Sequence, residues 1–393
     1  MRRLNYRIGA GKNSGHFAEK SCLWRAPNSA IGWDHGGNRA MKSLFAAAGF
    51  ILAMALPAFA GPTQAQPVRI MPVPTDAPSV TIGNGLITAK IYRIDPVRGF
   101  YRGQRFDQAG VVGRLSLGNQ HFYGPWFDLV SSVDLDNPDR PEGLVVGANS
   151  AISGPVEEFA PAGFDAAAPG GSFLKIGVGR LRRPDAKDYD HARDYELVDG
   201  GKRDTMTTAS SITFTQDVAS GYRYVKTLRL VPGKPQLRIE HVLTNTGTVP
   251  INTNVYDHNF LNLGRGNGDV AVTFPFAITP DLTPDPRLAR VKGNGFVFVR
   301  PLTGDERVAF LISGFGPSAR DYDVTVRNVK TGVAVRVTGD DRLVRLYTWS
   351  IRTVTAVEPF VGIDLAPGAT KRWAYTYTYS GPTARDSSAA TAR

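Results

Sequence analysis

Alternating runs of apolar and polar residues, separated by short turns rich in proline and glycine, constrain this chain most. Residues 220–247, SGYRYVKTLRLVPGKPQLRIEHVLTNTG, place two such runs around Pro232-Gly233-Lys234-Pro235. A period of two residues is typical of a strand with one buried face, and proline and glycine favour a tight turn. This stretch therefore predicts a β-hairpin.

The same pattern recurs through the rest of the chain. Thr331-Gly332 makes the turn of a second hairpin within residues 323–340, and the alternation returns at 343–365 and 371–381. Outside residues 41–60, no amphipathic run of about 10 to 12 residues has a helical period. Many strands at short intervals predict an all-β fold, either a barrel or, as we expect, a large antiparallel β-sandwich.

Residues 86–124 follow this pattern, but the middle of the chain is less regular. Residues 86–94 alternate, and 111–124 read as strand, Gly118-Asn119 turn, strand. Residues 131–204 are rich in Pro, Gly, Asp and Arg and predict loops around one strand, SFLKIGVGRL at 172–181. Long loops inserted in a sandwich often carry binding residues.

Residues 41–60, MKSLFAAAGFILAMALPAFA, have the pattern of a secretory signal. A lysine precedes an apolar run, and Ala58-Phe59-Ala60 is a cleavage pattern. The run is shorter than the roughly 18 to 20 residues that span a bilayer, so we expect cleavage after Ala60 and no stable membrane anchor afterwards. The expected location is the periplasm or the exterior.

Three further segments flank the expected globular region. Residues 1–40 precede a complete signal and are interpreted as a non-native upstream extension, while the proline-rich residues 61–79 predict an extended lead-in. The small, polar residues 381–393 predict a disordered tail.

Cleavage also changes the charge and the cysteine content. The chain has 46 Lys and Arg against 35 Asp and Glu, and residues 1–60 hold 8 of the basic and 2 of the acidic residues, which leaves a net charge of +5. So mild a charge does not indicate a nucleic-acid partner. Cys22, the only cysteine, is also removed, so disulfides and thiol chemistry are excluded.

The remaining histidines do not form a metal motif. His121, His191, His241 and His258 lack the close spacing of a zinc site, and no G-x-S-x-G elbow is present. We therefore expect no metal and no other cofactor.

The segment NVYDHNFLNLG, residues 254–264, carries the most informative polar residues. On a strand, Asn254, Tyr256, His258 and Phe260 would share one face, while Asp257 would point away from His258. A row of amide, phenol, imidazole and aromatic ring suits a sugar. The alternative is a buried histidine satisfied by its neighbours.

Two blocks of sequence resemble the aldose 1-epimerase (galactose mutarotase) family. LTNTGTVPINTNVYDHNFLNLG, residues 243–264, is similar to the family segment with the catalytic histidine, and AVEPFVGIDLAPGATKRWAYTYTY, residues 356–379, is similar to the segment with the catalytic glutamate. The resemblance implies a mutarotase-like supersandwich over residues 80–380. It also implies a sugar or oligosaccharide as partner, whereas the oligomeric state is not indicated.

The resemblance implies that His258 is the general acid and Glu358 the general base of anomer interconversion. We expect a protonated imidazole, with a pKa raised by a nearby carboxylate such as Glu358. We also expect the two groups to straddle a pyranose ring.

Other site residues follow from the resemblance less directly. Asp257 stands where the family usually has asparagine, and His121 is the candidate for the family's second histidine, although it could equally be a solvated loop residue. Arg102 and Arg105 are candidates to bind sugar hydroxyls, and Arg105 is preferred.

Four more side chains receive a weaker interpretation. Glu157 and Glu158 are weaker candidates to bind sugar hydroxyls, because acidic pairs on loops are mostly solvated. Trp126 and Trp349 are either stacking platforms or, as we prefer, core residues.

Two alternatives to an isomerase stay open. One is a carbohydrate-binding protein without turnover. The other is a polysaccharide lyase-type enzyme on a related sandwich, which would need a tyrosine near the acid, and Tyr256 is available for that role.

Overall fold

A computed structural model describes residues 68–133, 139–140, 143–264 and 266–382. All of them belong to one compact unit, Pro67–Arg393. The predicted upstream extension, the signal sequence and nearly all of the predicted tail lie outside the described residues. The predicted lead-in is described from residue 68 onward, and there it contains a strand.

The part of the chain that the structure describes contains 27 strands and one short 3₁₀ helix, Ala319–Asp321. In chain order the strands are β1 (Ile70–Pro72), β2 (Ser79–Gly83), β3 (Ile87–Tyr92), β4 (Val112–Leu117), β5 (Gln120–His121), β6 (Leu129–Ser131), β7 (Asp139–Arg140), β8 (Gly143–Gly147), β9 (Pro155–Phe159), β10 (Ser172–Lys175), β11 (Gly179–Arg182), β12 (Leu197–Asp199), β13 (Lys202–Thr207) and β14 (Ser211–Val218). They continue as β15 (Tyr222–Leu230), β16 (Gln236–Asn245), β17 (Ile251–Asn259), β18 (Val270–Thr273), β19 (Thr279–Pro280), β20 (Ala289–Lys292), β21 (Gly295–Phe298), β22 (Val308–Ser313), β23 (Asp323–Asn328), β24 (Ala334–Gly339), β25 (Leu343–Ile351), β26 (Val354–Leu365) and β27 (Thr370–Ser380).

Two large sheets organise these strands. A ten-stranded sheet has the order β13-β14-β15-β16-β27-β24-β23-β18-β21-β20, and a six-stranded sheet has the order β19-β22-β25-β26-β17-β9. Among the described strands, β6 and β8 pair in parallel and the other ladders are antiparallel. The all-β, antiparallel prediction is confirmed. No described helix is long and apolar enough to cross a membrane.

The predicted hairpins form where the turn residues occur. β15 pairs with β16 around the proline-glycine turn, and β23 pairs with β24 around Thr331-Gly332. Gly233 and Gly332 have φ angles of 67° and 80°, which glycine adopts without the steric cost that a Cβ would add.

The irregular region differs from the prediction in two ways. Residues 172–181 form a hairpin, β10 and β11, and not one strand, because Gly177 turns the chain at a φ of 81°. The segment with the acidic pair is a strand, β9, that pairs with β17. The prediction of a solvated pair was wrong, since Glu157 is fully buried and the Glu158 side chain is 12% exposed.

The two large sheets pack face to face. β17 lies in the six-stranded sheet and carries polar side chains on both faces of that sheet. Val255 and Asp257 point towards the ten-stranded sheet, where the hydroxyl of Tyr377 on β27 donates to Asp257 Oδ2 at 2.8 Å. The alternate residues Tyr256 and His258 point to the opposite face, against a second apolar cluster. Asp257 thus points away from His258, as the pleat predicts.

Candidate active site

Strand register brings His258 and Glu358 together. β17 and β26 pair Tyr256 with Phe360, and an isolated bridge pairs Leu261 with Thr355 in the same register. His258 and Glu358 are therefore directly opposite on one face, where cross-strand side chains are close. His258 Nε2 lies 3.2 Å from Glu358 Oε1, and the two side chains are 6% and 5% exposed.

Neighbouring strands extend this face on both sides. β9 pairs Glu158 with Tyr256, and the Tyr256 hydroxyl donates to the Glu158 carboxylate. On the other side, β25 pairs Tyr347 with Glu358. Because residues opposite one another in a sheet share a face, four adjacent strands contribute to one surface.

Arg105 joins this surface from the segment between β3 and β4. Its Nε donates to Glu158 Oε2 at 2.8 Å, its Nη1 to Ser150 Oγ at 3.2 Å, and its Nη2 to the Tyr256 hydroxyl at 3.5 Å. Its side chain is 19% exposed, so Arg105 and Glu158 are more accessible than the His258–Glu358 pair.

Aromatic rings enclose the imidazole of His258. Phe260 stacks on it with a centroid distance of 3.7 Å, and Phe106 and Trp349 approach edge-on at 5.9 and 5.5 Å. Trp349 is thus a wall of this site. Trp126 does not contact the imidazole in this way: it stacks on Phe260 and donates its indole N–H to the Ile152 carbonyl.

The environment of Glu358 favours its protonated form. Burial raises the pKa of Glu358 to about 8, and the charge of Glu158 adds to this effect. Arg105 and Arg345 act in the opposite direction but do not cancel it. Glu358 therefore holds its proton at neutral pH.

The environment of His258 favours its neutral form. Burial and then the charge of Arg105 lower the pKa of His258 well below its ordinary value, and Glu158 opposes them only in part. The expected protonated imidazole is not what this environment supports. At neutral pH this environment favours a proton on Glu358 and a neutral imidazole on His258, which is the reverse of the expected protonation.

One atom of the imidazole has no partner. His258 Nδ1 is buried and makes no hydrogen bond to any described residue. When Glu358 donates to Nε2, the imidazole proton must lie on Nδ1, where it is unsatisfied. Burial with an unsatisfied donor is consistent with the low basicity of this histidine.

The pair also departs from the expected spacing. The two groups contact each other directly and do not stand apart on either side of a ring. The anomeric hydroxyl and the ring oxygen of an aldose are bonded to the same carbon, so a side-by-side acid and base can reach both oxygens. The arrangement supports donation of a proton to one of these oxygens and concerted removal of a proton from the other.

The structure brings together four of the six predicted site residues. Arg105 and Tyr256 lie beside the pair, whereas Arg102 is exposed and donates to the Val97 carbonyl at 2.9 Å. His121 is exposed and its Nδ1 lies 2.8 Å from Ser116 Oγ, so it is not among the residues gathered here.

Three further ionisable residues lie at the site: the sequence analysis treated Glu158 as a weaker candidate and did not propose Lys175 or His191. Burial favours neutral Glu158, but the charges of Arg105 and Lys175 hold its pKa at about 2. Lys175 Nζ lies 3.7 Å from Glu158 Oε1, and burial lowers the pKa of Lys175 to about 8. The charge of Arg105, with burial, lowers the pKa of His191 to about 4.

A sequence signal existed for two of these three. Glu158 lies one residue from Glu157, so on a strand the two carboxylates must occupy opposite faces. Lys175 follows the apolar residues Phe173 and Leu174, which is unusual for a solvated lysine. No comparable pattern marks His191.

Behind the site, the sandwich interior holds a second charged group. Lys226 Nζ lies 3.2 Å from Asp107 Oδ2 and also donates to the Glu157 carboxylate, while His241 Nε2 lies 2.8 Å from Glu157 Oε1. Burial and the charge of Glu157 raise the pKa of Asp257 well above its ordinary value, so this interior favours the protonated form of its carboxyl group. Within the described ranges, no group of three or more His, Cys, Asp or Glu is arranged to hold a metal.

Fold and site together define a class of protein: an antiparallel β-sandwich with a buried carboxylic acid and imidazole on one sheet, beside an arginine and a tyrosine. No protein-family model and no curated protein sequence matches this chain. Solved structures of galactose mutarotase-like proteins, in contrast, are similar to most of it.

Three of these structures illustrate the similarity. A galactose mutarotase related enzyme from Lactobacillus acidophilus is 14% identical, with 78% of this chain and 98% of that chain covered and a TM-score of 0.45. A galactose mutarotase-like protein from Lactobacillus casei is 15% identical (77% and 100% covered, TM-score 0.44), and an aldose epimerase homologue from C. elegans is 14% identical (78% and 99% covered, TM-score 0.43).

Proposed function

We propose that this chain interconverts the α and β anomers of an aldose by acid–base opening of the sugar ring. The observation that supports the proposal is the buried contact between His258 and Glu358, a carboxyl group and an imidazole whose pKa values are shifted in opposite directions. Arg105 and Tyr256 supply hydrogen-bond donors next to the pair.

In the proposed reaction, the two sugar oxygens replace the direct contact between Nε2 and Oε1. Glu358 donates its proton to the ring oxygen while His258 Nε2 accepts the proton of the anomeric hydroxyl, and the bond between C1 and the ring oxygen breaks. After rotation about the C1–C2 bond of the open aldehyde, the same steps run in reverse. Each proton returns to its residue, so no co-reactant is needed.

The location proposed for this activity is the periplasm or the exterior. The basis is the signal-like segment 41–60, with its apolar run and its Ala58-Phe59-Ala60 pattern.

Exchange between anomers tests the proposed activity. Two-dimensional exchange NMR on a panel of aldoses should give rates above those of buffer for the wild type. Glu358→Gln and His258→Asn should each lower the enzymatic rate about 100-fold or more, as expected for loss of a general acid or base. No acceleration for any aldose by the wild type would contradict the proposal.

Two substitutions serve as matched controls. Glu306 is partly exposed and pairs with Arg300, which is not among the residues gathered at the site, so Glu306→Gln removes a carboxylate without a role in the proposed reaction. His121 is exposed and contacts Ser116, so His121→Asn removes a histidine without touching the gathered residues. Both variants should keep the wild-type rate.

A sugar-binding protein without turnover is the second candidate, because the pair is only 6% and 5% exposed. Under this candidate, sugar binding by titration calorimetry would survive in the Glu358→Gln and His258→Asn double variant, and the wild type would not accelerate exchange. A lyase is less well supported, because burial and the charge of Glu158 raise the pKa of Tyr256 well above 10, which keeps the phenol protonated and so unable to act as a base.

A further inference from the structure

The charges beside the catalytic pair do not balance. Arg105 and Lys175 both contact the one carboxylate of Glu158, at 2.8 and 3.7 Å. Glu358, the other carboxyl group on this surface, is buried against His258 and protonated at neutral pH. Around Glu158, two cations therefore face a single anion. One more negative charge in this part of the site would balance the local charge.

Arg105 has donors left for such a charge. A guanidinium carries five N–H groups, and the described contacts of Arg105 use one on each nitrogen. The contacts of Nη1 and Nη2 are long, at 3.2 and 3.5 Å, and the side chain is 19% exposed. One N–H group thus remains on each of Nη1 and Nη2, and a planar carboxylate can accept hydrogen bonds from two such donors.

The distance between the two parts of the surface fits a single sugar. Tyr256, which contacts Arg105, and His258 lie two residues apart on the same face of β17. Two residues of strand span about 7 Å. A pyranose with its anomeric carbon at His258 and Glu358 can therefore direct the substituent of its far side towards Arg105.

We infer that the aldose bound here carries a carboxylate on the carbon remote from its anomeric centre, that is, a uronate held by Arg105. This inference rests on the proposed function, whose pair fixes the orientation of the ring. A carboxylate at this position forms paired hydrogen bonds with the guanidinium and brings the charges around Glu158 to balance. Lys175 strengthens the attraction without touching the solvent.

Comparison of sugars by the wild-type protein tests the inference. Exchange NMR should give a kcat/KM for glucuronate about tenfold or more above that for glucose, as expected for an added charge-assisted contact. The same order should hold for galacturonate over galactose. A neutral sugar equal to or better than its uronate would overturn the inference, and so would a preference for glucose 6-phosphate over glucuronate.

Substitution of Arg105 tests whether this residue causes the preference for a uronate over a neutral sugar. Arg105→Gln should remove the preference for the uronate by raising its KM, with a smaller change for the neutral sugar. Arg105→Lys, which keeps the charge but loses the planar donors, should retain part of it. Arg287→Gln removes an exposed arginine paired with Asp285 and is the matched control. An unchanged preference in folded Arg105→Gln would overturn the assignment.

A binding measurement separates this inference from the proposed function. Titration calorimetry of Glu358→Gln with glucuronate and with glucose requires no turnover. Tighter binding of glucuronate supports the inference even if no sugar is ever turned over, in which case only the proposed function fails. Equal binding of the two sugars would refute the inference that the substrate is a uronate. If the wild type also turned over glucose, the proposed function would remain supported.

Discussion

Glu358 illustrates, at the scale of one residue, how burial sets the protonation state of an ionisable side chain. A carboxyl group with an ordinary pKa would be the base of a pair with histidine. On this sheet, burial and the neighbouring Glu158 keep it protonated, while the aromatic walls around His258 keep the imidazole neutral. The protonation state of each group is therefore set by its solvation and not by its identity.

This environment has a cost in stability that depends on pH. The folded pKa of Glu358 is about 8, above its ordinary value of 4.5, so between these values the unfolded chain releases a proton that the folded chain retains. Stability linked to this group is therefore lost as the pH rises through that window. Glu358→Gln should raise the melting temperature more at pH 8 than at pH 5.

Calorimetric scans at both pH values check this expectation, with Glu306→Gln as the partly exposed control. An equal effect of Glu358→Gln at the two pH values would show that Glu358 ionises normally in the folded protein. The control has its pKa shifted to about 2, in the opposite direction, and should show no gain at pH 8.

Sequence alone could identify the residues of the pair but not their protonation. Asp257 and His258 were assigned to opposite faces from the pleat alone, and the structure places them so. The direct contact of His258 with Glu358 depends on the register of strands that are about 100 residues apart in sequence, which no local pattern encodes. Arg105 and His191 reach the site from loops and Lys175 from the end of β10, and no periodicity in the sequence indicates that the three converge.

At the scale of elements, β9 and β17 are each polar on both faces. Glu158 and His258 serve the site, while Glu157 and Asp257 point into the sandwich, where Lys226 bridges Asp107 and Glu157 from the opposite sheet. Buried charges of this kind are tolerated only when each has a partner. The interior ion group thus fixes the position of the two strands that carry the site.

Removal of the central cation should therefore be severe. Lys226→Met leaves Glu157 and Asp107 without their buried counter-charge, and we expect a loss of about 3 to 5 kcal/mol in the free energy of unfolding. Urea denaturation followed by tryptophan fluorescence measures it. The double variant Lys226→Met with Glu157→Gln should recover part of the loss, because a neutral amide can still bond to His241.

A matched control distinguishes the effect of breaking the interior ion group from the effect of losing any paired lysine. Lys371 forms a partly exposed ion pair with Asp341, with side chains that are 24% and 27% exposed. Lys371→Met should cost less than about 1 kcal/mol, as is usual for surface pairs. Similar losses for Lys226→Met and Lys371→Met would show that the interior group contributes little.

At the scale of the whole molecule, the fold was the most predictable level. The alternation around turns such as Pro232-Gly233 specifies antiparallel hairpins, and these pair into the two large sheets. The failures were local. β9 was interpreted as loop because its acidic pair resembles a solvated segment, and 172–181 was interpreted as one strand because Gly177 was not recognised as a turn.

Export is the prediction that belongs to the whole chain. Expression in a bacterial host with an intact secretion system should give a periplasmic protein whose first residue is Gly61, since the Ala58-Phe59-Ala60 pattern precedes it. Mass spectrometry of the intact protein after osmotic release measures the N-terminus. A protein that retains Met1 or Met41 in the cytoplasm would refute both the cleavage site and the proposed location.

The register between β17 and β26 has a consequence for how this site can change over evolutionary time. Because Glu358 meets His258 by pairing across two strands, deletion of a single residue between Thr355 and Glu358 would turn the carboxyl group towards the opposite face of the sheet. Point substitutions can alter the walls of the site gradually, whereas a change in strand length abolishes the pair at once. Descendants of this chain can therefore diversify in the loops around the site while the lengths of these two strands stay constant.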